Sequence, residues 1–430
     1  MERRKFLRDV TAAVVGAPAV LAQRNANDRL GVACVGVGTR GFQLMQEVQA
    51  CANTEVRVIC DLYQGNVKRA KENCKNERVR IERGWEKAVT DKDVDLVLIA
   101  TPDFWHAPMV VRAAEAKKDI YVEKGWCRTL QEAKQMRKAV KDNKVVMQLG
   151  HNYNSMPTFH RARQIFQSGE LGKVTLVRTY IDRTNAWPEW KFYTRYDLNE
   201  LPADATPENI DWERFIANAS KRPFDAERFF RWRCWWEYGT GIAGDLLSHL
   251  WDAVNMIAEM GIPETALTQG NKYFWKEDRE LPDMWHVLYD YPKKEMNVTF
   301  NCTFANRHVG ELIQFLGREK TLEVSPSFCR TFDAEWKPEY AEKAARARWR
   351  ATQAGLPPQN ATVPPEYTMK PGEVEVDGHM ENFVACARSR ETPRCGVDRA
   401  FEEAAAVIMS VEAYRQERKV RWDPVKERVV

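Results

Sequence analysis

The chain has 430 residues, of which 44% are hydrophobic, and its 65 basic and 61 acidic residues give a formal net charge of +4. This length is ample for two domains that each have their own core. The basic residues are scattered, and neither a nucleic-acid-binding motif nor a continuous basic stripe is present. The sequence therefore argues against nucleic acid as a partner.

The first 22 residues have the pattern of an export signal. Arg3 and Arg4 precede an apolar stretch from Val10 to Leu21, which ends in the small-residue pattern Val20-Leu21-Ala22. We therefore predict that residues 1–22 are a twin-arginine signal peptide, so the protein engages the twin-arginine export machinery and is periplasmic or otherwise exported. The stretch is too short to span a bilayer, which argues against a permanent membrane anchor. The alternative interpretation is an ordinary basic N terminus.

A glycine-rich turn follows the first predicted strand. The apolar residues Val32 to Val35 lead into Gly36-x-Gly38-x-x-Gly41, and an amphipathic run from Phe42 to Ala50 follows. In this strand–turn–helix context the spacing is typical of a dinucleotide site, because the glycines permit a tight turn, close approach of a pyrophosphate and close packing of the helix. The start of the helix faces the phosphates. The predicted cofactor-binding residues here are Gly36, Gly38, Thr39, Arg40 and Gly41.

Asp61 follows the second predicted strand, Val56 to Cys60, twenty residues after the fingerprint. A carboxylate at this point accepts hydrogen bonds from the adenosine ribose and repels a ribose phosphate, which predicts NAD as the cofactor. Asn66, Lys68 and Arg69 lie just downstream and leave NADP as the alternative. An exported protein carries its cofactor out with the folded chain, so we expect tight binding that exchanges slowly.

Strand-like and helix-like runs alternate between residues 30 and 152, which predicts an N-terminal Rossmann domain with a doubly wound parallel sheet. Ligands of such sheets lie at the carboxyl ends of the strands. Three segments occupy those ends: 101–106, 123–126 and 151–153. Their predicted cofactor-binding residues are Thr101, Pro102, His106, Glu123, Lys124 and Asn152.

The remaining chain, residues 153–430, is predicted to form a C-terminal α+β domain with an open, mostly antiparallel sheet. Its strand-like runs are 173–181, 285–291, 296–304 and 308–316, and two amphipathic helices lie within 379–416. An insertion at 183–238 is rich in tryptophan and arginine. Indole rings stack on sugars and arginine holds hydroxyls or carboxylates, so Trp232, Arg233 and Trp236 are predicted substrate contacts. Core packing or an oligomer interface explains the same composition.

A second polar cluster begins the run Gly244 to Met260. Asp245, His249 and Asp252 are spaced by four and three residues, so they share one face of a helix. A histidine that titrates near neutral pH can take a hydroxyl proton, an aspartate beside it can orient it, and Asp252 is a further candidate for substrate contact. A solvated face with one Asp–His pair is the alternative.

The chain resembles the Gfo/Idh/MocA family of sugar oxidoreductases over nearly its whole length after the signal. The resemblance depends on the glycine fingerprint, Thr101-Pro102-x-x-x-His106 and Glu123-Lys124. The resemblance implies that Lys124 and an Asp245-x-x-x-His249 pair are catalytic. Tyr153 is a further candidate beside the substrate. Where the family usually has proline after the lysine, this chain has Gly125. This difference is expected to loosen the backbone at the site.

The resemblance predicts hydride transfer between a sugar, polyol or glycoside carbon and NAD, in a homo-oligomer that takes a small carbohydrate substrate. The alternatives are a redox-neutral glycosidase or epimerase that passes through a transient keto-sugar, and a non-catalytic sugar-binding relative. The ten cysteines contain no C-x-x-C pair, and no metal site is predicted. Disulfides among Cys234, Cys302, Cys329, Cys386 and Cys395 are left open.

Overall fold

The structure is a computed structural model that describes residues 29–190, 200–334, 338–355 and 364–430. The predicted signal at 1–22 lies outside these residues. Within the described ranges, no helix combines the length and the apolar character that crossing a membrane requires. All ten cysteines fall inside these ranges and none of them forms a disulfide.

The N-terminal part forms a six-stranded parallel sheet with helices between its strands, which confirms the predicted doubly wound fold. The strand order is β3-β2-β1-β4-β5-β6. The strands are β1 (Leu30–Val35), β2 (Thr54–Cys60), β3 (Arg80–Glu82), β4 (Leu96–Ile99), β5 (Asp119–Val122) and β6 (Met147–Leu149). The helices are α1 (Thr39–Ala50), α2 (Gln64–Glu72), α3 (Trp85–Thr90), α4 (His106–Glu115) and α5 (Leu130–Asn143).

Local sequence explains how these elements are placed. Strands β1, β4 and β5 are buried along their whole length, as expected for a parallel sheet covered on both faces. Helix α5 starts with a capping box in which Thr129 accepts from the Glu132 N–H and the Glu132 side chain returns to the cap. Because the strands of this sheet are parallel, their carboxyl ends lie at one edge of the sheet, where the predicted cofactor segments also lie.

The C-terminal part is built on a ten-stranded sheet in the order β14-β13-β12-β11-β7-β10-β9-β8-β15-β16. Its pairings are antiparallel except for that of β7 with β10, which confirms a mostly antiparallel sheet. The strands are β7 (Val174–Asp182), β8 (Thr265–Asn271), β9 (Met284–Tyr291), β10 (Met296–Thr303), β11 (Glu311–Gly317), β12 (Lys320–Ser325), β13 (Phe328–Asp333), β14 (Tyr367–Thr368), β15 (Val420–Asp423) and β16 (Arg428–Val429).

Helices connect this sheet to the first one. They are α6 (Pro157–Ser168), α7 (Trp212–Phe215), α8 (Ala226–Phe230), α9 (Ser248–Ala258), α10 (Pro338–Gln353), α11 (His379–Ser389) and α12 (Val397–Arg415). A π-helical turn, Ala243–Leu247, leads directly into α9. Met380, Phe383 and Val384 of α11 are buried in the same apolar cluster as strand β1, so the chain returns to the first sheet near its C-terminal end.

Candidate active site

The glycine turn between β1 and α1 has the shape that a pyrophosphate requires. Gly36 has a φ of +80°, and a Cβ at Gly41 would lie 1.7 Å from the Gly36 carbonyl oxygen, so neither position accepts a side chain. A Cβ at Gly38 would meet nothing nearer than Asn66 Nδ2, at 3.8 Å. No side chain caps α1, which begins at the exposed Thr39. The turn therefore leaves open space in front of a helix N terminus, which suits a dinucleotide.

Asp61 lies directly against this turn at the end of β2. Its carboxylate accepts from the Val37 N–H at 2.8 Å and from the Tyr63 N–H at 2.9 Å. Burial raises the pKa of Asp61, although these hydrogen bonds oppose the shift. Arg69 donates to the Val37 carbonyl oxygen at 2.8 Å and Asn66 contacts Asp61, so both residues serve the turn itself.

Two of the predicted cofactor residues pair with each other at the same edge of the sheet. Arg40 Nε, in the first turn of α1, donates to Glu123 Oε1 at 2.7 Å, and Glu123 is buried at the end of β5. The ion pair fixes the start of α1 relative to the segment that carries Lys124. Asn152 is half-buried in the turn after β6, at the same edge.

His106 connects two of the segments at the carboxyl ends of the strands, 101–106 and 123–126. Its ring is fully buried, with Nδ1 2.9 Å from the Gly125 carbonyl oxygen and Nε2 2.8 Å from the Thr101 carbonyl oxygen. Burial lowers the pKa of His106. The ring thus fixes the Thr101-Pro102 turn against the segment that follows Lys124, which is a positioning role.

Lys124 and Asp245 meet although 121 residues separate them in the chain. Lys124 Nζ donates to Asp245 Oδ1 at 2.5 Å and to the Asp245 main-chain oxygen at 3.0 Å. Arg233 Nε donates to the same Oδ1 at 3.1 Å, and the indole N–H of Trp190 donates to Oδ2 at 2.8 Å. Burial opposes ionisation of Asp245, but Lys124 and Arg233 outweigh it and hold its pKa well below the usual range. Asp245 is therefore a permanent anion that fixes Lys124.

His249 lies one helical turn after Asp245 and is neutral at physiological pH. Burial, together with the charges of Lys124 and His151, lowers its pKa well below the usual range. Its ring stacks on Tyr153 with centroids 5.2 Å apart and meets His151 edge-on at 5.3 Å. Nδ1 of His249 is buried and has no hydrogen-bond partner within the described ranges. A neutral imidazole in this position can accept a proton.

Side chains that the sequence did not single out complete this group. The Tyr153 hydroxyl donates to Glu311 at the start of β11, and burial raises the pKa of Glu311 to about 7. His151 forms a buried pair with Glu403 of α12. Glu311 and Glu403 lie 158 and 252 residues from their partners, and no local pattern marks them.

The predicted substrate contacts divide into two sets. Arg233 lies over the Trp232 ring at 4.2 Å and reaches Asp245, so Trp232 and Arg233 are at the site. Trp236 instead stacks on Tyr414 of α12, and the Arg415 guanidinium lies 4.4 Å from the centre of the Trp236 ring, so its position does not support the predicted substrate contact.

Asp252 also differs from its predicted role. Its side chain is 0% exposed, and its carboxylate accepts from Arg399 Nε at 2.6 Å and from Asn154 Nδ2 at 2.5 Å. A buried ion pair occupies this carboxylate, so the structure gives Asp252 a structural contact in place of a contact with substrate.

Asp103, directly after Thr101-Pro102, is a further buried acid of the site that is absent from the predicted residues. Its side chain is buried, with the residue 4% exposed. A Cβ at Gly125, Gly239 or Gly244 would come within 3.1–3.4 Å of its Oδ2, so glycine backbone surrounds it. Burial raises the pKa of Asp103 to about 7, although Arg233 and Lys124 oppose the shift. Its position inside the motif Thr101-Pro102-x-x-x-His106 was the sequence feature that could have identified it.

The raised pKa of Asp103 predicts how stability depends on pH. Between about pH 4 and 7 the folded state holds a proton that the unfolded state releases, so stability falls as pH rises through this window. The difference between a pKa of about 7 and the usual value near 4 corresponds to roughly 4 kcal/mol. We expect Asp103→Asn to gain stability relative to the wild type by a few kcal/mol between pH 5 and pH 8. Denaturant unfolding at both pH values measures this difference.

The control is Asp278→Asn, because Asp278 is exposed. If Asp103→Asn and the wild type keep the same stability difference at pH 5 and pH 8, Asp103 does not titrate in this window.

The fold defines a protein of the NAD-binding Rossmann class with a second, α/β part. Profiles described as oxidoreductase family, NAD-binding Rossmann fold, and oxidoreductase family, C-terminal alpha/beta domain, match residues 30–151, 157–263 and 215–422. The chain belongs to the Gfo/Idh/MocA oxidoreductase family. Its cofactor is NAD, as Asp61 predicts.

Curated relatives match over part of the chain. Levoglucosan dehydrogenase of Pseudarthrobacter phenanthrenivorans is 33% identical over 137 residues, 31% of this chain and 35% of that protein. Alpha-N-acetylgalactosaminidase of Shewanella oneidensis is 32% identical over 112 residues, 24% of each chain. The first relatives are matched over 35–42% of their own length.

Among solved structures, the WlbA dehydrogenase from Bordetella pertussis in complex with NADH and UDP-GlcNAcA superimposes with a TM-score of 0.66. It is 16% identical, and the match covers 92% of this chain and 99% of that chain. This likeness shows that the two-domain fold is shared.

Proposed function

We propose that this protein is an exported oxidoreductase that transfers a hydride between NAD and a hydroxyl-bearing carbon of a sugar, polyol or glycoside. The observation that carries the proposal is the neutral His249 beside the Lys124–Asp245 pair, at the carboxyl edge of the NAD-binding sheet. Levoglucosan dehydrogenase among the relatives supports a carbohydrate substrate. The arginine pair and apolar stretch of residues 1–22 support export.

Each side chain has a distinct task in this reaction. The glycine turn and Asp61 would hold NAD, which would supply the acceptor for the hydride. Neutral His249 takes the hydroxyl proton, and Lys124 donates a hydrogen bond to the oxygen as it becomes a carbonyl. Asp245 holds the ammonium of Lys124 in place. Trp232 offers a ring for the apolar face of a sugar, with Arg233 beside it.

A redox-neutral reaction is the second candidate, and the acids of the site favour it. Oxidation of one sugar carbon acidifies its neighbour, and elimination or epimerisation then needs a further group that takes and returns a proton. Asp103 and Glu311 both have a pKa of about 7, which suits proton exchange near neutral pH. The relatives include a glycosidase, alpha-N-acetylgalactosaminidase.

One product analysis tests these functions. The exported, NAD-loaded protein is incubated with a panel of sugars and glycosides without added dinucleotide, and products are identified by mass spectrometry. Paired oxidised and reduced sugars support the oxidoreductase, whereas cleaved or epimerised products of unchanged redox state support the second candidate. Lys124→Ala should give neither, and Lys276→Ala, at an exposed lysine, serves as the control.

If the wild type forms no product while holding NAD, the third option, a non-catalytic sugar-binding relative, gains support.

We also propose a homo-oligomer formed through the ten-stranded sheet. Leu267 of β8 lies opposite Leu288 of β9, and both side chains are exposed on the outer face of the sheet. Static light scattering of the purified protein measures the oligomeric state.

A further inference from the structure

Part of the insertion at 183–238 is fastened to the chain after β2, immediately after Asp61, the predicted ribose contact. The Asp211 N–H donates to the Leu62 carbonyl oxygen, and the Gln64 N–H donates to the Asn209 carbonyl oxygen, each at 2.9 Å. These two bonds pair the insertion with the chain after β2 in an antiparallel bridge. The tyrosine between them, Tyr63, donates its hydroxyl to Asp204 at 2.5 Å. Two main-chain hydrogen bonds and one side-chain hydrogen bond thus hold the insertion at this end of the sheet.

The same insertion is also fastened to the end of β4. The indole N–H of Trp105 donates to the Phe215 carbonyl oxygen at 3.0 Å, and Asn218 Nδ2 donates to the Phe104 carbonyl oxygen at 2.9 Å. The rings of Phe104 and Phe215 meet edge-on, with centroids 5.4 Å apart. Main-chain and aromatic contacts therefore hold the insertion on the loop that follows Thr101-Pro102.

These two loops lie on either side of the crevice in which a dinucleotide is bound in a doubly wound sheet. A cleft of about 350 Å³ remains next to this bridge, between Leu62 and Arg83, which follow β2 and β3, and Pro207–Glu213 with Phe224 on the insertion. The insertion therefore forms the outer side of this cleft, at the expected adenosine end of the dinucleotide site. The cleft leaves space between the insertion and the sheet.

We propose that residues 204–218 of the insertion are part of the NAD site and retain the cofactor by bridging the loops after β2 and β4. The adenosine half lies behind this bridge, and its release requires the contacts to open. The consequence is slow exchange of NAD. This inference depends on NAD binding alone, so it can fail or succeed independently of the substrate and the reaction.

The test measures how fast bound NAD leaves. The protein is loaded with isotopically labelled NAD, mixed with an excess of unlabelled NAD, and sampled by rapid gel filtration and mass spectrometry. Tyr63→Phe removes the bond to Asp204, and Asn218→Ala removes the bond to Phe104. We expect release to accelerate about fivefold for each bond lost, and further in the double variant. Tyr273→Phe, at an exposed tyrosine, is the matched control.

A second measurement separates retention from a general effect on packing. Thermal unfolding of the cofactor-free variants should stay within a few degrees of the wild type, since each bond is a small part of total stability. Wild-type release as fast as that of the double variant overturns the proposal. A fall in the melting temperature without any change in release also overturns it, because the contacts would then serve domain packing alone.

Discussion

Replacing His249 with asparagine is expected to lower kcat/KM by about 10²- to 10⁴-fold, the range that general acid–base catalysis contributes. The asparagine keeps a polar group of similar reach but has no nitrogen that takes up a proton near neutral pH. NAD affinity should be unchanged, because His249 contacts Tyr153 and His151 and none of the glycine turn. The measurement is steady-state turnover of the first sugar that the product analysis identifies, alongside NAD binding.

The role of His249 also predicts how turnover depends on pH. The pKa of His249 is well below its usual range, so its basic form persists from neutral pH down into the acid range. Turnover that depends on His249 should therefore stay level above neutral pH and fall only in acid. His308→Asn is the control, since His308 is exposed. Full activity in His249→Asn would assign the proton transfer to another residue.

Asp245→Ala is expected to cost both activity and stability. Asp245 is the shared acceptor of Lys124, Arg233 and Trp190, and removing it leaves two cations in a largely buried site without their partner. Breaking a buried ion pair from one side costs about 3–5 kcal/mol, and the partial exposure of Arg233 places the expected loss near the lower end. Lys124 should also lose its position, so turnover should fall at least a hundredfold, on the order of a general acid–base group.

Denaturant unfolding and turnover measure these two effects on one variant. Asp245→Asn is the informative companion, because the amide oxygen still accepts a hydrogen bond but carries no charge to balance Lys124. Asp278→Ala, at an exposed aspartate, controls for the substitution itself. An Asp245→Ala protein that is as stable as the wild type would show that Lys124 and Arg233 find other partners, contrary to the proposed role of Asp245.

The fold was largely predictable from local patterns. The alternation of strand-like and helix-like runs predicted the parallel sheet, because each βαβ unit is built from contiguous residues. The composition of the second sheet was harder to predict. The late strands β15 and β16 extend it beyond β8, and β7 pairs in parallel with β10, whose sequence lies more than a hundred residues away. Such pairings depend on sheet edges that form only when the whole domain folds.

The predicted site was brought together in part. Lys124, Asp245, His249 and Tyr153 lie close together in the structure, while Asp252 and Trp236 point to structural contacts. The helical spacing of Asp245, His249 and Asp252 placed them near one another. It did not show that Asp252 would form a buried ion pair with Arg399. Glu311 was missed because a lone glutamate at a strand start carries no sign of its partner.

The sequence by itself determined the dinucleotide turn, the choice of NAD and the family. These depend on short-range constraints: a positive φ at Gly36, the contact of Gly41 with the Gly36 carbonyl, and a carboxylate after the next strand. Tertiary structure alone decided the charge state of the site and the position of the insertion. The pKa values of Asp103 and His249, and the bond between Tyr63 and Asp204, arise from burial and from residues distant in the chain. Burial and long-range pairing exist only in the folded chain, which is why no local pattern reveals them.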